Sequence, residues 1–226
     1  MAIKLTLALA VALALVAPLQ AAVEAATGLD FKPTMSDSDF PGVGGDAKLA
    51  GMGCRIKQIG PVKVKVYAVG LYVDQRAVQS SLNSFEAFPE ETLLGSKAFF
   101  KAIRKAPFEK CFMLKMARTV GSDKMVNALA DSIKPRMKNE MEALTEFQGL
   151  LSAGLKGGSC TKNTAFGFAA SKGKLVVSIN GKEEGTVNSR ELCDAFTDTY
   201  IGDNAVSPDA KSNFAKGLCA MIKGEA

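Results

Sequence analysis

"GCRIKQIGPVKVKVYAVGLYV", residues 53–73, is the stretch on which the reading of this chain turns. Two runs rich in valine and isoleucine flank Gly60-Pro61, a dipeptide that punctuates a turn. The pattern predicts an antiparallel pair of strands at about 47–59 and 61–74. The first carries a single arginine, Arg55, directly after Cys54, and the second carries Tyr67 at the head of an unbroken apolar run to Val73. If the turn centres on Gly60-Pro61, residues whose numbers sum to about 121 or 122 face each other. Arg55 then sits opposite Val66 or Tyr67, and a β-bulge would move the pairing by one residue. Directly opposed side chains share a face and lie about 5 Å apart. The "KVKV" at 63–66 reads as a solvated sheet face.

Further along, a short edge strand is expected near Phe31–Met35 and another strand over 107–119. "RAVQSSLNSF" and "EETLLGSKAFFKAIRKA" predict short helices. Met125, Leu129, Ile133, Met137 and Met141 recur every four residues, which predicts a helical block with this stripe in the core. Ser122 or Asp123 is positioned to cap it, and Pro135 should kink or divide it. Glycines and serines at 153–159 predict a loop. "TAFGFAA" and "KLVVSING" predict a hairpin through Ser171-Lys172-Gly173. "NSRELCDAFTDTYIG" has a capping-box pattern in Asn188 and Glu191. "SPDAKSNFAKGLCAMI" predicts a last helix with Ser207 as N-cap, Pro208 in its first turn, and Phe214, Leu218, Met221 and Ile222 on the core face. This order is not an alternating βα pattern. It predicts an α+β fold, a largely antiparallel sheet with helices packed on it.

The first 26 residues, "MAIKLTLALAVALALVAPLQAAVEAA", carry one early charge, an apolar run from Leu5 to Val16, then Pro18 and small residues. They predict a secretory leader over 1–25, cleaved after Ala21 or Ala25; an uncleaved anchor is the alternative. A bilayer span needs about 20 apolar residues, so no transmembrane segment is expected in the mature chain. The folded domain is expected over 30–226, exported by the secretory route to the outside, the periplasm or a plastid.

The formal charge is +5 with signs mixed along the chain, and there is no histidine. Nucleic-acid binding is not indicated. The missing histidine excludes a Ser-His-Asp triad, a Cys-His pair and histidine metal sites. The five cysteines, at 54, 111, 160, 193 and 219, form no C-x-x-C pair, so zinc and thioredoxin-type chemistry lack support. An odd number leaves at least one thiol unpaired within the chain, and isolated cysteines read as small buried hydrophobes. No metal and no cofactor is expected.

"RIKQIGPVKVKVYAVGLYVD", "PFEK" at 107–110 and "TYIGDNAVSPDAK" at 199–211 resemble, in the same order, segments of the chalcone isomerase fold family. The resemblance runs from about 40 to 222. It implies an open-faced β-sandwich with helices layered on one face of a long sheet and a ligand cleft between them. The family's enzymes close a flavanone ring using a first-strand arginine, which Arg55 matches. Where they carry a threonine this chain has Tyr67. Their helical tyrosine and asparagine fall near Lys124 and Asp131, and a late Ser or Thr near Cys193 or Asp194. The family's non-enzymatic branch binds fatty acids, with an arginine and a tyrosine holding the carboxylate; Arg55 and Tyr67 match that pair. A planar guanidinium suits a carboxylate, and Val69 and Leu71 would line the acyl slot beside the methionine-rich helix.

The expected function is therefore non-catalytic binding of a fatty acid or similar amphiphilic carboxylate by a monomer, through Arg55 and Tyr67. Val69, Leu71, Lys124, Asp131, Cys193 and Asp194 are candidate cleft residues. One alternative is an intramolecular lyase acting on chalcone-like enones. Another is a closed fold used only for interaction, favoured if there is too little room beside Arg55 for an acyl chain.

Overall fold

The computed structural model describes residues 21–225. Most of the expected leader lies outside them. Strands β1 (Ala22–Glu24) and β2 (Leu29–Phe31) form a small hairpin. Of the two candidate cleavage points, Ala21 precedes this hairpin and Ala25 falls in its turn. Then come β3 (Thr34–Met35), β4 (Ala47–Ile59) and β5 (Val62–Val73). Helices α1 (Gln75–Leu82), α2 (Glu90–Leu94) and α3 (Lys97–Lys105) precede β6 (Lys110–Met116), β7 (Val120–Gly121), α4 (Ser122–Ile133) and α5 (Met141–Leu155). The chain ends with β8 (Ser159–Cys160), β9 (Ala165–Ser171), β10 (Lys174–Ile179), β11 (Lys182–Asn188), α6 (Arg190–Ile201) and α7 (Pro208–Lys223).

Seven strands form one antiparallel sheet in the order β11-β10-β9-β6-β5-β4-β3. This is the expected α+β architecture. The sequence reading missed β11, although its signal was present. Asn180 and Gly181 both have positive φ, 52° and 79°, as a two-residue type I′ hairpin turn requires, and Asn-Gly is the favoured pair there.

Both faces of the middle of the sheet are covered. On one, Tyr67, Val69, Leu71 and Val73 of β5 join the helices in the main core. On the other, Ala68 and Tyr72 pack with Leu29, Phe31, Met35 and Phe40 from the N-terminal segment. A strand buried on both faces reads as a continuous apolar run rather than an alternating one. This explains why the sequence from Tyr67 to Val73 does not alternate while the preceding "KVKV" does.

Pro135 divides the helical block, as expected: α4 ends at Ile133, and a 3₁₀ turn over Lys134–Arg136 leads towards α5. Met125, Leu129, Ile133 and Met137 are buried, whereas Met141 is exposed. Two capping expectations are corrected. The N-cap of α4 is Gly121; Ser122 is already helical and makes no cap bond, and Asp123 lies in the first turn, where a negative charge suits the helix dipole. The N-cap of α6 is Ser189, whose Oγ accepts from the Leu192 amide at 2.9 Å. Glu191 instead accepts the backbone N–H groups of Lys138, Asn139 and Glu140 at the entry to α5. Those bonds hold its carboxyl below the usual range.

Helix α7 fixes the site described below. Its N-cap is Ser207, as expected, which accepts from Ala210 and donates to the Cys54 carbonyl at 2.8 Å. Asn213 donates to the Met52 carbonyl at 2.9 Å. Gly51 and Gly53 present bare Cα atoms to the backbone of Asn213 and Ala210, so α7 lies directly on β4. Ser207→Ala removes the cap and the tie to β4 together. It is expected to lower stability by about 1–2 kcal/mol, read as a lower urea midpoint at unchanged slope.

Candidate functional site

Arg55 and Tyr67 are directly opposed across β4 and β5, and the next pair is Ile56 with Lys65. A bulge at Val66 accounts for the shift, so the pairing sum is 122 on one side of it and 121 on the other. The Val66 carbonyl accepts the Ala117 amide at 3.0 Å. The bulge thus sets Arg55 and Tyr67 on the face that carries Val69 and Leu71. On β4 that face runs Gly51, Gly53, Arg55. Helix α7 occupies the two glycines, and Arg55 is the first side chain beyond its N-terminus.

Arg55 is half-buried. Its Nη1 donates to the carbonyls of Val206, at 2.6 Å, and of its neighbour Ile56, at 3.0 Å. Val206 belongs to the connection between α6 and α7, which its own amide ties to Thr199 at 2.9 Å. The remaining guanidinium N–H groups have no protein partner among the described residues. Tyr67 is buried, and its hydroxyl lies 3.1 Å from that of Tyr200 on α6. Burial raises the pKa of both phenols, against smaller opposing contributions from Arg55, so both are neutral donors at physiological pH. Two hydroxyls that share one hydrogen bond leave one O–H free to donate elsewhere. The site therefore offers spare guanidinium donors and one phenolic O–H on a single face, an arrangement suited to an oxyanion.

Tyr200 was not singled out in the sequence reading, although it lies in the quoted "TYIGDNAVSPDAK". Its signal was helical spacing: Phe196 and Tyr200 are four apart and face the sheet together. Tyr200 stacks on Phe112 with ring centroids 5.2 Å apart, and Phe196 packs against both. Val69 and Leu71 are fully buried in this core.

The other candidates lie elsewhere. Lys124 and Asp131 are exposed. They are seven residues apart, two turns along one face of α4, and that face is opposite the buried stripe of Met125, Leu129 and Ile133. Cys193 is buried on α6, and Asp194 pairs with Lys105 at 3.3 Å. Both line a cavity bounded by α3, α6 and the β9–β10 turn. Four surface cavities stand out among the described residues, and Arg55 and Tyr67 line none of them. All five cysteines are unpaired and buried. Burial raises every thiol pKa, that of Cys54 to about 11 and that of Cys193 to about 12. None is a thiolate nucleophile at neutral pH. No helix among the described residues is long and apolar enough to cross a membrane.

A family model described as chalcone-flavanone isomerase matches residues 28–221. "Fatty-acid-binding protein 1" of Arabidopsis thaliana is 26% identical over 211 residues, spanning 89% of this chain and 72% of that protein. The chalcone–flavanone isomerase of Phaseolus vulgaris is 27% identical over 186 residues, spanning 78% and 84%. The crystal structure of an Arabidopsis thaliana fatty-acid binding protein has the same fold, with a TM-score of 0.76 at 24% identity over 90% of this chain and 99% of that one.

Proposed function

The chain belongs to the chalcone-flavanone isomerase family, and from that premise we propose that it binds a fatty acid or similar amphiphilic carboxylate without transforming it. The observation that carries this reading is the direct opposition of Arg55 and Tyr67, with Tyr200 at the phenol. The partly buried Arg55 guanidinium is held by carbonyls and forms no ion pair among the described residues, and a carboxylate would supply the counter-charge. The relative named for fatty-acid binding supports the same direction. The acyl chain would run along Val69 and Leu71, a row now buried in the main core. Because α7 is seated backbone-to-backbone on β4, entry requires movement of α6 or of the connection holding Val206. A carboxylate that takes Nη1 from the Val206 carbonyl would release that connection.

Calorimetric titration with a saturated fatty acid and its methyl ester tests the reading. The acid should bind and the ester should bind much more weakly. Equal affinity would remove the carboxylate clamp. The filled core beside Arg55 favours a second reading, in which the closed fold serves only interaction; no binding of either ligand would select it.

Chalcone cyclisation needs donors at the carbonyl oxygen where charge develops, and a phenolate held near the enone. Arg55 could attract the phenolate. Lys124 and Asp131, at the helical positions that would complete the constellation, are exposed. Incubation with a 2′-hydroxychalcone should therefore leave its visible absorbance decaying at the uncatalysed rate. Stereoselective flavanone formation abolished by Arg55→Ala would defeat the non-catalytic reading.

A further inference from the structure

Two contiguous cavities, of about 740 and 990 Å³, flank α6 and share Arg104, Lys105, Glu140, Arg190 and Asp194 in their walls. Together the walls carry nine lysine and arginine side chains against four carboxylates. That excess of five equals the formal excess of the whole chain, so the remaining charges balance, 19 of each sign. The two cavities that flank α6 thus carry a local excess equal to the protein's net charge, and a concave charged surface focuses an anion.

The four carboxylates are already engaged. Asp198 is held by Arg104 and Arg136, Asp194 by Lys105, Glu191 by three backbone amides, and Glu140 by the Ser189 hydroxyl. Lys172, Lys174 and Arg190 are exposed, and none forms an ion pair among the described residues. Lys110, on β6, is 5% exposed. Its Nζ donates to the carbonyls of Ala106 and Phe108, at 2.8 and 3.0 Å, and lies 4.3 Å over the Phe108 ring. It forms no ion pair among the described residues. Burial without a counter-charge pulls its pKa down to about 8, against weaker opposing effects of Asp194 and Cys193. Arg104 Nε is a buried donor with no partner among the described residues. An unmade bond at a buried donor costs roughly 1–3 kcal/mol, so Arg104 Nε and the unpaired Lys110 cation both favour an acceptor at this wall.

We propose that the smaller cavity binds a soluble small molecule through a phosphate or comparable dianionic oxyanion group, seated against Lys110 and Arg104 with Lys172, Lys174 and Arg190 at the mouth. One orphan guanidinium N–H, one buried ammonium without a counter-charge and an uncompensated excess of cations suit a dianion better than a single carboxylate. The concave shape and its size suit a small molecule. The N-terminus of α6, at Ser189 and Arg190, adds its partial positive charge to the same wall. This site is independent of the Arg55–Tyr67 clamp, whose residues line neither cavity.

Calorimetric titration of the full-length protein with inorganic pyrophosphate at low ionic strength tests the proposal. Saturable one-to-one binding is expected, with acetate failing to compete. Lys110→Met should weaken it by about tenfold or more. The exposed double variant K172Q/R190Q, which does not touch the core, should weaken it at least about threefold and flatten its salt dependence. K57Q/K63Q, two exposed lysines on the β4–β5 hairpin, should leave it unchanged. Fatty-acid titration of K172Q/R190Q should match the parent protein, separating this site from the clamp. Absence of saturable binding, equal competition by acetate, or equal weakening by K57Q/K63Q would overturn the proposal. Retention on phosphatidate vesicles without pyrophosphate binding would overturn it in favour of a lipid surface.

Discussion

Arg55→Ala should weaken binding of a saturated fatty acid by about 2–4 kcal/mol, roughly 30- to 1000-fold. The substitution removes the cation directly opposite Tyr67, and a carboxylate entering there would be desolvated without compensation. Tyr67→Phe should cost less, about 0.5–1.5 kcal/mol, because Tyr200 retains an O–H that can donate in its place. Stability of the unliganded protein should change little with Arg55→Ala. The bonds from Nη1 to Val206 and Ile56 are lost, but so is the cost of holding an uncompensated cation in a partly buried place. Calorimetry of wild type and both variants, each with acid and methyl ester, reads all of this. Unchanged affinity in Arg55→Ala would reduce Arg55 to a strand residue that ties β4 to the α6–α7 connection.

Gly217→Ala should destabilise the fold by about 3 kcal/mol or more. Helix propensity alone argues the other way, since alanine in a helix interior is worth about 1 kcal/mol over glycine. A Cβ at 217, however, would overlap the carbonyl oxygen of Ala50 on β4. That atom is strand backbone and cannot rotate aside as a side chain can. Relief requires lifting α7 from β4, which also breaks the seating of Asn213 and Ala210 on Gly51 and Gly53. The denaturation midpoint should fall with the slope unchanged. A midpoint at or above that of the parent would show that α7 lies farther from β4, leaving room beside Arg55.

The sequence by itself determined the α+β class, the β4–β5 hairpin, the division of the central helical block at Pro135 and the cap at Ser207. These are legible because each rests on a local rule: alternation, turn dipeptides, a missing amide, a hydroxyl before a first turn. It also brought Arg55 and Tyr67 together, because counting outward from a tight turn fixes register to within one residue. The Val66 bulge was the residue of uncertainty. The sequence did not show that β5 is buried on both faces, although its unbroken apolar run was the sign, because the cover on the second face comes from residues 29–43 across the sheet. Nor did it place Lys124 and Asp131, which were aligned by resemblance although the methionine stripe beside them already turned that face of α4 outward. Only the tertiary structure decided that the Tyr200 hydroxyl meets that of Tyr67. It alone seated α7 on bare glycines so that Arg55 emerges at the helix end. It alone gathered charges that look evenly mixed along the chain into the two cavities that flank α6. Each of these depends on contacts between segments up to about 150 residues apart, and local pattern carries no information about which distant surfaces meet.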